Sequence, residues 1–265
     1  MVNNPIIIIR KNTIYSDDRL LEKFEKHIMH LYQYELFKPI LDLVATKMIQ
    51  GVFKFKVQDQ KVFDLDAGNC KTIQSNMLDS ILNKFRTQKS YLITIKQISY
   101  DVILHEIGHM LEHELDLDLT QFAHVILSEI TKKSRLITVD ETIHDIMIKQ
   151  INSYPANQRN SELLARYFQL FALSRDIAGY ESNLGYRLQD IQNHFSMTGN
   201  WIMQNIFSKL VPKTNADIAL YSNSFLKPIS EVKHKWSEQK VKALHNHQRT
   251  KWSKTVKSIK SSDFF

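Results

Sequence analysis

Apolar residues recur at two different periods along this chain, and the changes of period mark its organisation. Residues 17–49 carry Leu20, Leu21, Phe24, Ile28 and Leu31 at helical spacing and predict two helices broken near Pro39. From Phe53 the period falls to two. Phe53, Phe55 and Val57 alternate with Lys54 and Lys56, which predicts a half-buried strand, and Val62, Phe63, Asp64 and Leu65 follow after a polar connection as its hairpin partner. The isoleucine run at 6–9 predicts another short strand, 72–85 a helix, and the β-rich run 91–95 a strand whose edge could hold an extended peptide. Beyond residue 97 the pattern is helical, with segments near 97–115, 119–132, 138–152, 160–177, 184–195 and 199–210. The expected fold class is α+β, with a small mixed β-sheet preceding a mainly helical lobe. The expected division is one domain over 1–226, made of a mixed lobe (1–96) and a helical lobe (97–226), followed by a tail over 227–265.

Composition narrows the classes. With 265 residues and 43% hydrophobic content the chain can bury a sizeable core. Cys70 is the only cysteine, so a disulfide framework and a cysteine-rich metal site are both excluded. The run at 6–9 is too short for a signal-peptide core or a membrane span, so a cytoplasmic protein is expected; export by a specialised secretion machine would leave no such trace. The net charge of +7 lies entirely in residues 227–265, where ten Lys and Arg face three acids. There Trp236 and Trp252, with Val232, Leu244, Val256 and Ile259, would form a basic amphipathic surface if the segment were helical. An anionic membrane or an acidic protein is the expected partner of such a surface. Nucleic acid ranks lower, because no nucleic-acid-binding motif accompanies the charge.

The candidate chemistry lies in His105-Glu106-Ile107-Gly108-His109. Two histidines four apart share one face of a helix and can bind one Zn²⁺, while Glu106 points about 100° round the axis, where it can act as a base on water. The apolar flanks Val102-Ile103-Leu104 and Met110-Leu111 predict a helix buried in a core. Gly108 inside it predicts a close approach of another backbone. A catalytic zinc wants a third protein ligand. A third histidine six residues after His109 is excluded, since Leu115 stands there, and His113 lies too far along the same helix. Glu129 and Glu162 remain. Glu129 lies twenty residues after His109 among Leu127, Ser128 and Ile130; Glu162 opens an apolar helix that Asn160 or Ser161 could cap.

With Glu162, Leu163, Leu164, Ala165 and Phe168, residues from about 90 to 175 resemble the gluzincin proteases of the anthrax lethal factor type. In that family the third ligand starts a helix reading glutamate, two residues that are Phe or Leu, alanine and, three positions on, Phe. The resemblance implies a zincin-like fold, a zinc-dependent endopeptidase, Glu162 as the third ligand and Tyr154 as the donor to the oxyanion, with one residue inserted between Tyr154 and Glu162 relative to the family. Tyr167 and His144 are the other candidate donors. The expected partner is then a protein or peptide substrate, and an effector delivered by a bacterium to act on a host protein is one form that the enzyme could take. The competing expectations are a non-catalytic binding protein on the same fold, working through its basic tail, and a protease tethered to nucleic acid by that tail.

Overall fold

The computed structural model describes residues 4–60, 66–79, 84–134, 143, 147–148, 151–179 and 186–210, with backbone alone for 76–79, 84–87 and 132–134. The expected hairpin strand at 62–65, most of the helix at 138–152, His144 and the tail at 227–265 lie outside these residues.

The run at 6–9 is helical, in α1 (Pro5–Lys11), not a strand. Its start explains the difference: the Asn4 side chain accepts the Ile6 N–H, and Pro5 occupies the first turn, where a missing N–H costs nothing. Strand β1 (Ile14–Tyr15) follows, then α2 (Asp18–Leu31) with Asp17 as its cap, burying Leu21, Phe24, Ile28 and Leu31. Helix α3 (Lys38–Ile49) begins just before Pro39, so the break predicted near that proline falls over 32–37. Strand β2 (Phe53–Val57) buries Phe53, Phe55 and Val57, as their alternation with lysine requires.

The expected helix at 72–85 is instead part of two long strands, β3 (Gly68–Asp79) and β4 (Lys84–Ile95). The cause is tertiary. Each residue from Gly68 to Asp79 has an antiparallel partner on β4, and this ladder outweighs a weak local helical pattern. The sheet order is β1-β2-β4-β3, with β1, β2 and β4 mutually parallel and Phe53 opposite Tyr91. Residues 91–95 therefore lie between two neighbours and present no free edge. Among the described residues the edge strands are β1 and β3, and on β3 Lys71, Ile73, Gln74 and Ser75 are exposed.

Helix α4 (Tyr100–Glu114) packs against β3 and β4, and also against α6 (Arg159–Ala172). Between them in sequence comes α5 (Leu119–Ser134), and a 3₁₀ turn at Ile151–Ser153 leads into α6. The short helices α7 (Arg175–Ala178), α8 (Leu188–His194) and α9 (Ser196–Ile202), a π turn at Met203–Phe207 and α10 (Ser208–Leu210) complete the described chain. The architecture is thus mixed α+β and mostly helical, with a four-stranded mixed sheet. No described helix is long and apolar enough to cross a membrane.

The α4–α6 contact depends on Gly108. A Cβ placed there would stand 2.9 Å from the Ala165 Cα, inside any real contact distance. Gly108→Ala is therefore expected to lose about 1–2 kcal/mol of stability, although alanine is the better helix former. Chemical denaturation of the metal-free protein tests this, and a gain in stability would show that the helices can part at no cost.

Candidate metal centre

The backbone approach at Gly108 brings the first turn of α6 against the middle of α4. The consequence is a cluster of His105, His109 and Glu162, whose ligand atoms all lie within 4.8 Å of one another. His105 Nε2 is 3.5 Å from Glu162 Oε2, and His109 Nε2 is 3.5 Å from Glu162 Oε1. These separations are long for hydrogen bonds. Each is close to one edge of a coordination tetrahedron, which for bonds of about 2.0–2.1 Å measures about 3.3 Å, and the two imidazoles approach different oxygens of the one carboxylate. Glu162 Oε2 is also buried without a hydrogen-bond partner, an arrangement that costs stability unless a cation completes it. The three side chains therefore fit a divalent ion.

Each histidine is also held from behind by α6. The His109 Nδ1–H donates to Ser161 Oγ at 2.8 Å, and the Ser161 hydroxyl in turn donates to the Glu112 carboxylate. This relay leaves Nε2 of His109 facing Glu162. Gln169, also on α6, bears on the His105 ring and favours its protonated form. Such outer partners set ring orientation and tautomer at metal sites. The sequence pattern singled out neither Glu112 nor Gln169, because a serine, a glutamate and a glutamine on helix surfaces carry no signal until the helices are docked. Ser161 serves differently from its expected role: Gln158 stands at the N-cap with no side-chain cap bond, and Ser161 lies inside the helix facing His109.

Glu106 is 5% exposed and adjoins β3 through Gly68, where a Cβ would stand 2.7 Å from Glu106 Oε1. Burial pushes its carboxyl up to about 7, with the charges of Glu162 and Asp66 adding to the effect and His109 opposing it. Within the triad the histidines diverge. Burial, reinforced by His109, lowers His105 to about 4. Burial also acts to lower His109, but Glu112 and Glu162 outweigh it and raise that imidazole to about 9.

The remaining candidates sit elsewhere. Glu129 accepts the backbone N–H groups of Met197 and Thr198 at 2.8 and 2.9 Å and the Thr198 hydroxyl at 2.6 Å, so its carboxylate is committed to the start of α9. It takes no part in the triad. Tyr167 is fully buried among Phe122, Phe168, Phe171 and Phe195, a core position that removes it as an oxyanion donor. Tyr154 is half-buried in the turn before α6, where its carbonyl accepts from Arg159 Nε at 3.1 Å. Its hydroxyl enters none of the hydrogen bonds that tie the triad together. Compared with protein-family models, curated proteins and solved structures, the chain matches none of them.

Two outcomes are expected from metal titration. Glu162→Ala should weaken Zn²⁺ binding at least tenfold, whereas Glu129→Ala should leave affinity within a factor of a few and cost about 2 kcal/mol of stability through its uncapped donors. The opposite order would return Glu129 to the metal. Because His109 is protonated below about pH 9, Zn²⁺ must displace one proton on binding, so apparent affinity should rise about tenfold per pH unit between pH 6 and 8. Chelator competition across that range measures the slope, and a flat profile would mean that His109 is already neutral.

Proposed function

We propose that this chain is a zinc-dependent endopeptidase with a zincin-like fold, using His105, His109 and Glu162 as ligands and Glu106 as general base. The observation that carries the reading is the combination of the triad with a buried carboxylate one residue from its first histidine. A purely structural metal site has no use for Glu106, whose burial costs stability and whose carboxyl is tuned close to neutrality. The choice of zinc rests on the donor set, two imidazoles and one carboxylate gathered within 4.8 Å. Bound there, zinc would supply Lewis acidity, lowering the pKa of a water and polarising the substrate carbonyl.

The chain's own residues supply the rest. Glu106 takes a proton from the attacking water on its carboxylate and delivers it to the leaving amine, a transfer suited to a group that titrates near neutral pH. Ser161 and Glu112 hold the His109 ring in register, and Gln169 does so for His105. Tyr154, through its phenol, is the proposed donor to the developing oxyanion, since a neutral donor adds no charge to repel the metal. An extended peptide would lie along β3, an edge strand of the described sheet that adjoins Glu106 at Gly68, and pair its backbone with that strand.

Glu106→Gln separates catalysis from binding. The variant is expected to keep one zinc per chain and lose at least a thousandfold in peptide hydrolysis. The same substitution has a signature without substrate. A carboxyl raised from 4.5 to about 7 in the fold binds its proton more tightly there than in the unfolded chain, so its ionisation opposes folding increasingly from pH 4.5 upward and fully above pH 7. Metal-free Glu106→Gln should therefore exceed the wild type by on the order of 2–3 kcal/mol at pH 8 and match it below pH 4.5. Hydrolysis near the wild-type rate in this variant would remove Glu106 from the mechanism.

A further inference from the structure

One helical turn beyond Glu162, on the α6 face that also carries Gln169, stands Arg166. The side chain is half-buried. Its Nη1 donates to Gln169 Oε1 at 3.3 Å, and its Nε is buried with no hydrogen-bond partner. Among the described residues no carboxylate forms an ion pair with it. It stands one turn from Glu162 on the same helix, and its charge acts on both Glu162 and His105.

A role confined to steering Gln169 explains little of this. Orienting one amide oxygen takes a single donor, whereas the guanidinium offers five in a planar fork, most of them unused here. A desolvated N–H left unmade is unfavourable, and a fixed positive charge next to a divalent ion is repelled by it. Both costs vanish when an anion binds alongside. A guanidinium fork matches two oxygens of a carboxylate or a phosphate, and a peptide substrate supplies the carboxylate.

Resting on the peptidase reading above, we infer that Arg166 is a specificity-determining residue that receives a carboxylate of the substrate beside the scissile bond. The carboxylate can come from an acidic side chain or from a free C-terminus, and the two are experimentally separable.

The test uses the full zinc-loaded chain and three hydroxamate-capped dipeptides that differ only at the far end. One carries glutamate and a C-terminal amide, one carries glutamine and a free C-terminal carboxylate, and one carries glutamine and an amide. Calorimetric titration should show one of the two charged compounds binding about 10- to 100-fold tighter than the neutral one, and the larger gain names the source of the carboxylate. Arg166→Gln should abolish the gain while leaving the neutral compound's affinity unchanged; Arg166→Lys, which keeps the charge but not the fork, should retain part of it. Equal affinity of all three compounds for the wild type overturns the inference, as does a gain that survives Arg166→Gln. Should Arg166→Gln lose its zinc, the wild-type comparison and Arg166→Lys decide. If the zinc-loaded wild type binds none of the three, the peptidase reading itself fails, and that result is distinct from equal binding.

Discussion

Everything at this site depends on how closely α4 and α6 approach at Gly108 and Ala165. Two histidines on one helix supply two ligands that no amount of local structure can complete. The third must come from a helix fifty residues away, and the reach of a glutamate side chain is short. Without a side chain at position 108, the α6 backbone comes within contact distance of α4, and the opening turn of α6 falls against His105 and His109. The same contact brings Ser161 to His109 and Gln169 to His105, so one packing decision positions both a ligand and the groups that orient the others. A helix interior accepts the roughly 1 kcal/mol penalty of glycine only for such a return.

Electrostatics then divides the labour among groups that are chemically similar. Glu129, Glu162, Glu112 and Glu106 are all carboxylates at least partly removed from water, yet each has a different fate. Glu129 is saturated by two backbone N–H groups and a hydroxyl, and is therefore inert. Glu112 is occupied by Ser161 and by the nearby His109 ring, which hold its carboxyl below the usual range against the effect of burial. Glu162 faces two imidazoles with one oxygen left unmatched. Glu106 has burial with no compensating donor among these contacts, and its carboxyl rises toward neutrality in consequence. Environment, not residue type, separates these four carboxylates.

Second-strand pairing shows the same dependence on context at the level of the fold. Residues 72–75 read locally as the beginning of a helix, but each has a partner on β4, and that ladder makes β3 an edge strand of the described sheet. The consequence reaches the site, since Gly68 at the start of β3 is the residue that leaves room for the Glu106 carboxylate. The isoleucine run at 6–9 illustrates the converse: an apolar run of this length is ambiguous by period alone, and its flanking Asn4 and Pro5 decide for a helix.

The amino-acid sequence alone determined what repeats at short range: the alternating strand at Phe53–Val57, the amphipathic α2, the apolar helix carrying His105, Glu106 and His109, and the glycine that demanded a close neighbour. Those features are legible because a period of two or 3.6 residues, or a glycine in a helix, expresses a local physical requirement. It also narrowed the third ligand to two glutamates, and there its reach ended. Only the tertiary structure brought Glu162, and not Glu129, to the two histidines, turned Ser161 from an expected cap into a partner of His109, and set Arg166 one turn beyond Glu162 on the same helix. Contacts between side chains some fifty residues apart are set by the docking of two helices, and no local pattern in either helix encodes which of its polar faces will meet the other.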